Sequence, residues 1–152
     1  MKQENEGNKA MSEDKVTAPK AEANKPKFKK EELLAIFDEI IFSGEYIEEV
    51  AIKGKLKVKF RSRSAEDTLS ISQDIDSKNF TLMTTLSEYR ALQNLGYSLV
   101  SYAGNDLSKM EVKERVKFVS KLLSPVVAAL SQALVDFDEK VNAACMEGEA
   151  NF

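Results

Sequence analysis

The chain contains no histidine. It therefore lacks the usual general base near neutral pH and the commonest metal ligand. It has one cysteine, Cys145, which excludes an internal disulfide and a thiolate metal cluster. With no imidazole to activate it, Cys145 reads as a small residue on the inner side of the last helix, and a single free thiol suits a reducing compartment. The six glycines are scattered, so there is no glycine-rich phosphate loop. No apolar run approaches the roughly 20 residues of a membrane span. The first residues lack the apolar core of a signal peptide, so a cytosolic start is expected. A formal net charge of −3 over 152 residues is too small to announce a polyanionic partner.

The most informative segment that is present runs from Tyr46 to Ser62, YIEEVAIKGKLKVKFRS. Leu56, Val58 and Phe60 alternate with Lys55, Lys57, Lys59 and Arg61, which predicts a strand with one dry and one cationic face. Gly54 supplies the positive φ of a tight turn, so the segment reads as a β-hairpin over about 46–62. A three-residue loop, Lys53 to Lys55, sets Ile52 opposite Leu56, Val50 opposite Val58 and Glu49 opposite Lys59. A two-residue loop would set Val50 against Lys57, and matched faces decide register more strongly than loop habit. A hairpin alone is not stable in water, so helices must cover its apolar face.

Helical periodicity fills the rest. Leu33, Ile36, Phe37 and Ile40 recur at steps of three and four before Ser43-Gly44. Ser64-Ala65-Glu66-Asp67 resembles a capping box and opens a helix over 65–76. A long helix is predicted over 80–103, with Gly96 marking close packing or a kink. Ser108 and Glu111 predict a second capping box, opening a helix that turns Val112, Val116, Val119, Leu122 and Leu123 inward. Ser124 as cap and Pro125 at the first position restart a helix bearing Val127, Leu130, Leu134, Phe137, Val141 and Ala144. That seam reads as a bundle core rather than a coiled-coil dimer. The expected fold is α+β, mostly α: a disordered N-terminal arm and one β-hairpin packed on a bundle of four to five helices. The organisation is a flexible basic arm over 1–28, a single domain over 29–147 and a short tail over 148–152. The arm is assigned from its composition, poor in branched aliphatics, with eight lysines against five acids in the first 30 residues.

No arrangement for catalysis emerges. Glu48 and Glu49 diverge on a strand, and Asp74/Asp76 and Asp136/Asp138 diverge on helices. The expectation is a protein that is not an enzyme and has no cofactor. The row Lys53, Lys55, Lys57, Lys59, Arg61 and Arg63 could hold phosphates, but no aromatic residues interleave with it and nearby glutamates offset it. A solvated face guarding a strand edge explains it better. Protein contact remains, through hairpin edges, tyrosines and the basic arm, and it leaves room for a homo-oligomer. The candidate partner-binding residues are Tyr46, Lys57, Lys59 and Arg61.

The order of these features, with FDEIIFSGEY, then EVAIKGKLKVKFRSRSAED, then Tyr89-Arg90, then ERVKFVSKLLSPVVAALSQAL, resembles small tail-morphogenesis proteins of tailed bacteriophages, the tail assembly chaperones and baseplate-hub assembly proteins. Phe60-Arg61-Ser62 and the Ala65-Glu66-Asp67 helix start carry the match, which spans about 30–147. The resemblance implies a non-enzymatic morphogenesis protein that binds tail or baseplate components in the host cytoplasm. A permanent virion subunit of head, neck or tail, its arm ordered on a neighbour, is the alternative. A nucleic-acid-binding accessory protein using the Lys/Arg face is a second alternative.

Overall fold

The computed structural model describes residues 27–150. The arm expected over 1–28 therefore lies, apart from Lys27 and Phe28, outside the described residues. The elements in chain order are α1 (Lys30–Ser43), β1 (Ile47–Ile52), β2 (Leu56–Arg61), α2 (Ala65–Asp76), α3 (Met83–Ser98), β3 (Leu99–Tyr102), β4 (Asn105–Asp106), α4 (Val112–Ser120) and α5 (Ser124–Ala150). The fold is α+β and mostly α, with five helices and one antiparallel sheet of order β1-β2-β3-β4 among the described residues.

Local chemistry accounts for most element ends. Gly44, at φ 80°, closes α1 and returns its N–H to the Ile40 carbonyl. Ser64 and Asp67 exchange side-chain and backbone bonds at the start of α2, as the capping box requires. The β1–β2 loop has three residues, and Ile52 faces Leu56, Val50 faces Val58 and Glu49 faces Lys59. Lys53 and Gly54 both take positive φ there.

Four expectations need correction. The long helix of 80–103 begins at Met83 and ends at Ser98, and the chain passes directly into β3. Ala103 and Gly104, both at positive φ, then form a two-residue turn into β4. The hairpin is thus the first half of a four-stranded sheet, and β2 is an interior strand. The second capping box does not form. Asp106 Oδ1 accepts the Ser108 N–H at 2.9 Å, which holds Ser108 in a turn, and α4 starts after Glu111 without a side-chain cap. Ser124 is itself helical rather than a cap, because the Leu123 carbonyl accepts the first helical bonds from Val126 and Val127. Leu123, expected to point inward, is 74% exposed.

The helices cover one face of the sheet. Val58 and Phe60 point into a core with Leu95, Leu99, Leu107, Val119, Leu130, Leu134 and Phe137. A smaller cluster of Leu33, Ile36 and Ala144 joins α1 to the far half of α5. There α5 continues through Gly148, where an added Cβ would meet the Phe37 ring at 2.2 Å, so the tail expected over 148–152 starts inside a packed helix. Two polar groups tie the layers together. Lys140 of α5 bonds both Glu32 and Glu48 at 2.8 Å. Arg63 donates to buried Ser98 Oγ at 2.6 Å and to Asp138 Oδ2 at 2.7 Å, which removes it from the cationic row.

Candidate functional site

Along β2 the period-two pattern sends Lys57, Lys59 and Arg61 away from the core, while β1 sends Ile47, Glu49 and Ala51 to the same side. Lys57, Lys59, Glu49 and Ala51 are exposed, so the helical layer leaves this outer face uncovered. The face is not flat. Lys59 and Phe60 flank a register shift against β3, and strands curve at such irregularities. One hollow of about 650 Å³ lies between β2, β3 and α4, lined by Glu45, Lys59, Arg61, Ser101, Asp106 and Arg115 among others. A second, of about 470 Å³, continues along Lys55, Lys57 and Glu49 and shares Lys59, Ser101 and Gly104 with the first.

Three of the four expected contact residues meet here, in two different states. Lys57 and Lys59 are free to reach outward. Arg61, with 21% of its side chain exposed, is held by Asp67 at 3.2 Å and Glu45 at 3.9 Å. Tyr46 is elsewhere. Its ring stacks on Phe137 with centroids 5.9 Å apart, and its hydroxyl donates to Glu48 Oε1 at 3.0 Å on the core side. Its N–H donates to Ser62 Oγ and its carbonyl accepts the Ser62 N–H, so it closes the hairpin rather than presenting a contact.

Arg115 was not among the expected residues. It belongs to α4, is 7% exposed, and faces the same hollow. One Nη donates to the Leu99 carbonyl at a long 3.5 Å, and Nε has no acceptor. Burial, with the neighbouring Arg61 charge, pulls its pKa below the usual arginine range. Asp106, on the hollow's rim, is held below the usual carboxylate range by hydrogen bonds from Ser108, with Lys109 and Lys59 adding to the effect. The sequence did carry a signal for Arg115. It stands four residues before Val119 and seven before Leu122, on the stripe that faces inward.

Two tyrosines and the cysteine favour their neutral forms. The Tyr89 hydroxyl donates to Asp74 Oδ2. Burial and that bond push Tyr89 up to about 12, and burial with the Glu48 bond does the same for Tyr46. Burial also raises the Cys145 thiol, with Glu149 adding to it, which disfavours the thiolate. Among the described residues no group of three or more acidic, cysteine or histidine side chains could hold a metal, and no helix is long and apolar enough to cross a membrane.

The tyrosine bonds have a measurable consequence. Raised values mean that the fold prefers the protonated hydroxyls, so their stabilisation is complete below pH 10.0 and is lost as the pH climbs through about 12. In an alkaline absorbance titration, Tyr46→Phe should remove one late-ionising tyrosine and Tyr89→Phe another. A Tyr46→Phe curve that keeps the full late phase would contradict the Glu48 bond.

No family model matches the chain, and neither the curated proteins nor the solved structures yield a significant match.

Proposed function

We propose that this protein is a non-enzymatic assembly component that grips another protein with the uncovered outer face of its sheet. One observation carries the reading: an exposed, hollowed, cationic sheet face stands opposite the helical layer, with the six-residue strand β1 paired on one side only among the described residues. Such an edge can accept a strand from a partner, and charged residues around it set register and discourage wrong pairings. Lys57 and Lys59 are the contact residues, and Arg61, braced by Asp67, shapes the floor between them and α4. The narrower reading, bacteriophage morphogenesis in tail or baseplate assembly, rests on the order of features in the sequence. On that reading the partner is a tail or baseplate protein met in the host cytoplasm.

The test is co-purification of the full chain from its native source, beside a Lys57→Glu/Lys59→Glu variant. Both side chains are exposed, so the variant should fold normally. We expect a stoichiometric phage structural protein with the wild type and about tenfold less with the variant, a change of about 1.4 kcal/mol. A wild-type chain recovered alone and monomeric would end the reading. Salt-sensitive retention on DNA or RNA would replace it with the nucleic-acid alternative. Presence in purified particles would mark a permanent virion subunit, and absence an assembly factor.

A further inference from the structure

We propose that the hollow around Arg115 receives a carboxylate from an acidic segment of the partner protein. The proposal rests on the contact reading above and names the chemistry of the partner at that face.

Arg61 already has Asp67 and Glu45. Lys59, opposite Glu49 in the register, extends into solvent, which compensates its charge. Asp106 accepts from Ser108. Arg115 differs from all of these. The residue is more than nine-tenths buried, and among the described residues it makes no ion pair with a carboxylate. Its hydrogen bonds to the described residues reduce to one long bond to the Leu99 carbonyl, while Nε has none. A buried cation in this condition is unfavourable unless an anion compensates it. Arg61 adds repulsion from the side, which the smaller attraction of Asp67 offsets in part, and an anion beside Arg115 would complete the compensation.

The surroundings select the anion. Glu45 and Asp106 border the same hollow, so the second charge of a phosphate would face like charge, whereas a carboxylate carries one. A guanidinium also matches a carboxylate in plane and spacing. The Ser101 and Ser108 hydroxyls can complete the anion's hydrogen bonds. At about 650 Å³ the hollow has room for more than an isolated ion, and its continuation past Lys57 and Lys55 provides a cationic path for acidic residues on either side.

The probe is a capped pentaglutamate peptide, titrated into the 15N-labelled full chain at low salt and followed at the Arg115 Nε–H resonance. Capped pentaglutamine, inorganic phosphate and sodium chloride at matched ionic strength serve as comparisons. We expect saturable shifts at Arg115 and Lys59 with pentaglutamate alone. Arg115→Lys keeps the charge but loses the fork, and should weaken binding about tenfold. Lys59→Ala, a change at an exposed site, should weaken it about threefold and stands as the test if Arg115→Lys does not fold. Equal binding by Arg115→Lys or, failing that, by Lys59→Ala would overturn the proposal. So would tighter binding of phosphate, or shifts that map away from the hollow. The two readings fail separately. A native partner retained by Arg115→Lys keeps the contact function and discards the carboxylate site. Peptide binding without any native partner does the reverse.

Discussion

Replacing Phe60 with alanine should lower the unfolding free energy by about 3–5 kcal/mol. Phe60 is fully buried on the interior strand β2, its ring 5.8 Å from that of Phe137 on α5. It stands where the sheet, α3 and α5 meet, beside Leu95, Leu99 and Leu130. Such a site cannot collapse cheaply, because neighbouring strands fix the backbone on both sides. Against a typical total of about 5–15 kcal/mol, this loss approaches the limit of what the fold can bear. Urea unfolding followed by circular dichroism measures it. Phe42→Ala is the contrast. That side chain is 90% exposed, and its removal should change stability by no more than about 0.5 kcal/mol. Similar losses for the two would refute the assignment of the core.

Gly96→Ala should destabilise the protein, although alanine is the better helix former. In an open helix the exchange would gain about 1 kcal/mol. Here the new Cβ would stand 2.3 Å from Val116 Cγ2 and 3.3 Å from the Val116 backbone nitrogen. Valine cannot swing aside, because its branched Cβ fixes χ1 in a helix. Forcing α3 and α4 apart costs about 1–3 kcal/mol, and the contact with backbone places the cost toward the upper end. The net effect is a loss of about 1–2 kcal/mol. Val116→Ala in the same chain removes the colliding methyl group and should recover part of the loss, which a double-mutant cycle measures as coupling. A stabilised Gly96→Ala would show that the two helices do not approach as described.

Elements with a strong local signal were legible in the sequence. The hairpin register followed from matched faces at Ile52/Leu56 and Val50/Val58. The Ser64–Asp67 box and the Gly44 cap followed from residues whose side chains or conformational freedom act within one turn. What was not legible depended on distant or competing partners. Strand β3 has four residues, too few to display a period of two. Leu99 and Tyr102 also extend the three-and-four spacing of the preceding helix, so the strand passes for its last turn. Its Leu99 and Val100 are both buried, which erases alternation at the register shift. At Ser108 two local options competed, and Asp106 took the serine N–H before Glu111 could complete a box. For the candidate face, alternation gave Lys57 and Lys59 correct placement, because it acts within the strand. It also gave Arg61, but not its acid partners from Asp67 and Glu45. The core-side position of Tyr46 was not legible, because enrichment of tyrosine at contacts does not say to which side of a sheet the ring turns. Arg115 was passed over because a charge on an apolar stripe is easily taken for an interruption of it.

Strand β2 pairs with β1 across a short loop, but with β3 across about forty residues. The first pairing is local and entropically cheap, while the second must wait for α2 and α3 to bring Leu99–Tyr102 back to it. The Arg115 hollow draws its walls from β2, from β3 and from α4, which follows both. A newly made chain can therefore show a finished hairpin and still offer nothing to hold an anion. The pocket comes into being only once β3 has closed on β2 and α4 has packed beside them, so occupancy would report that this long-range pairing has formed.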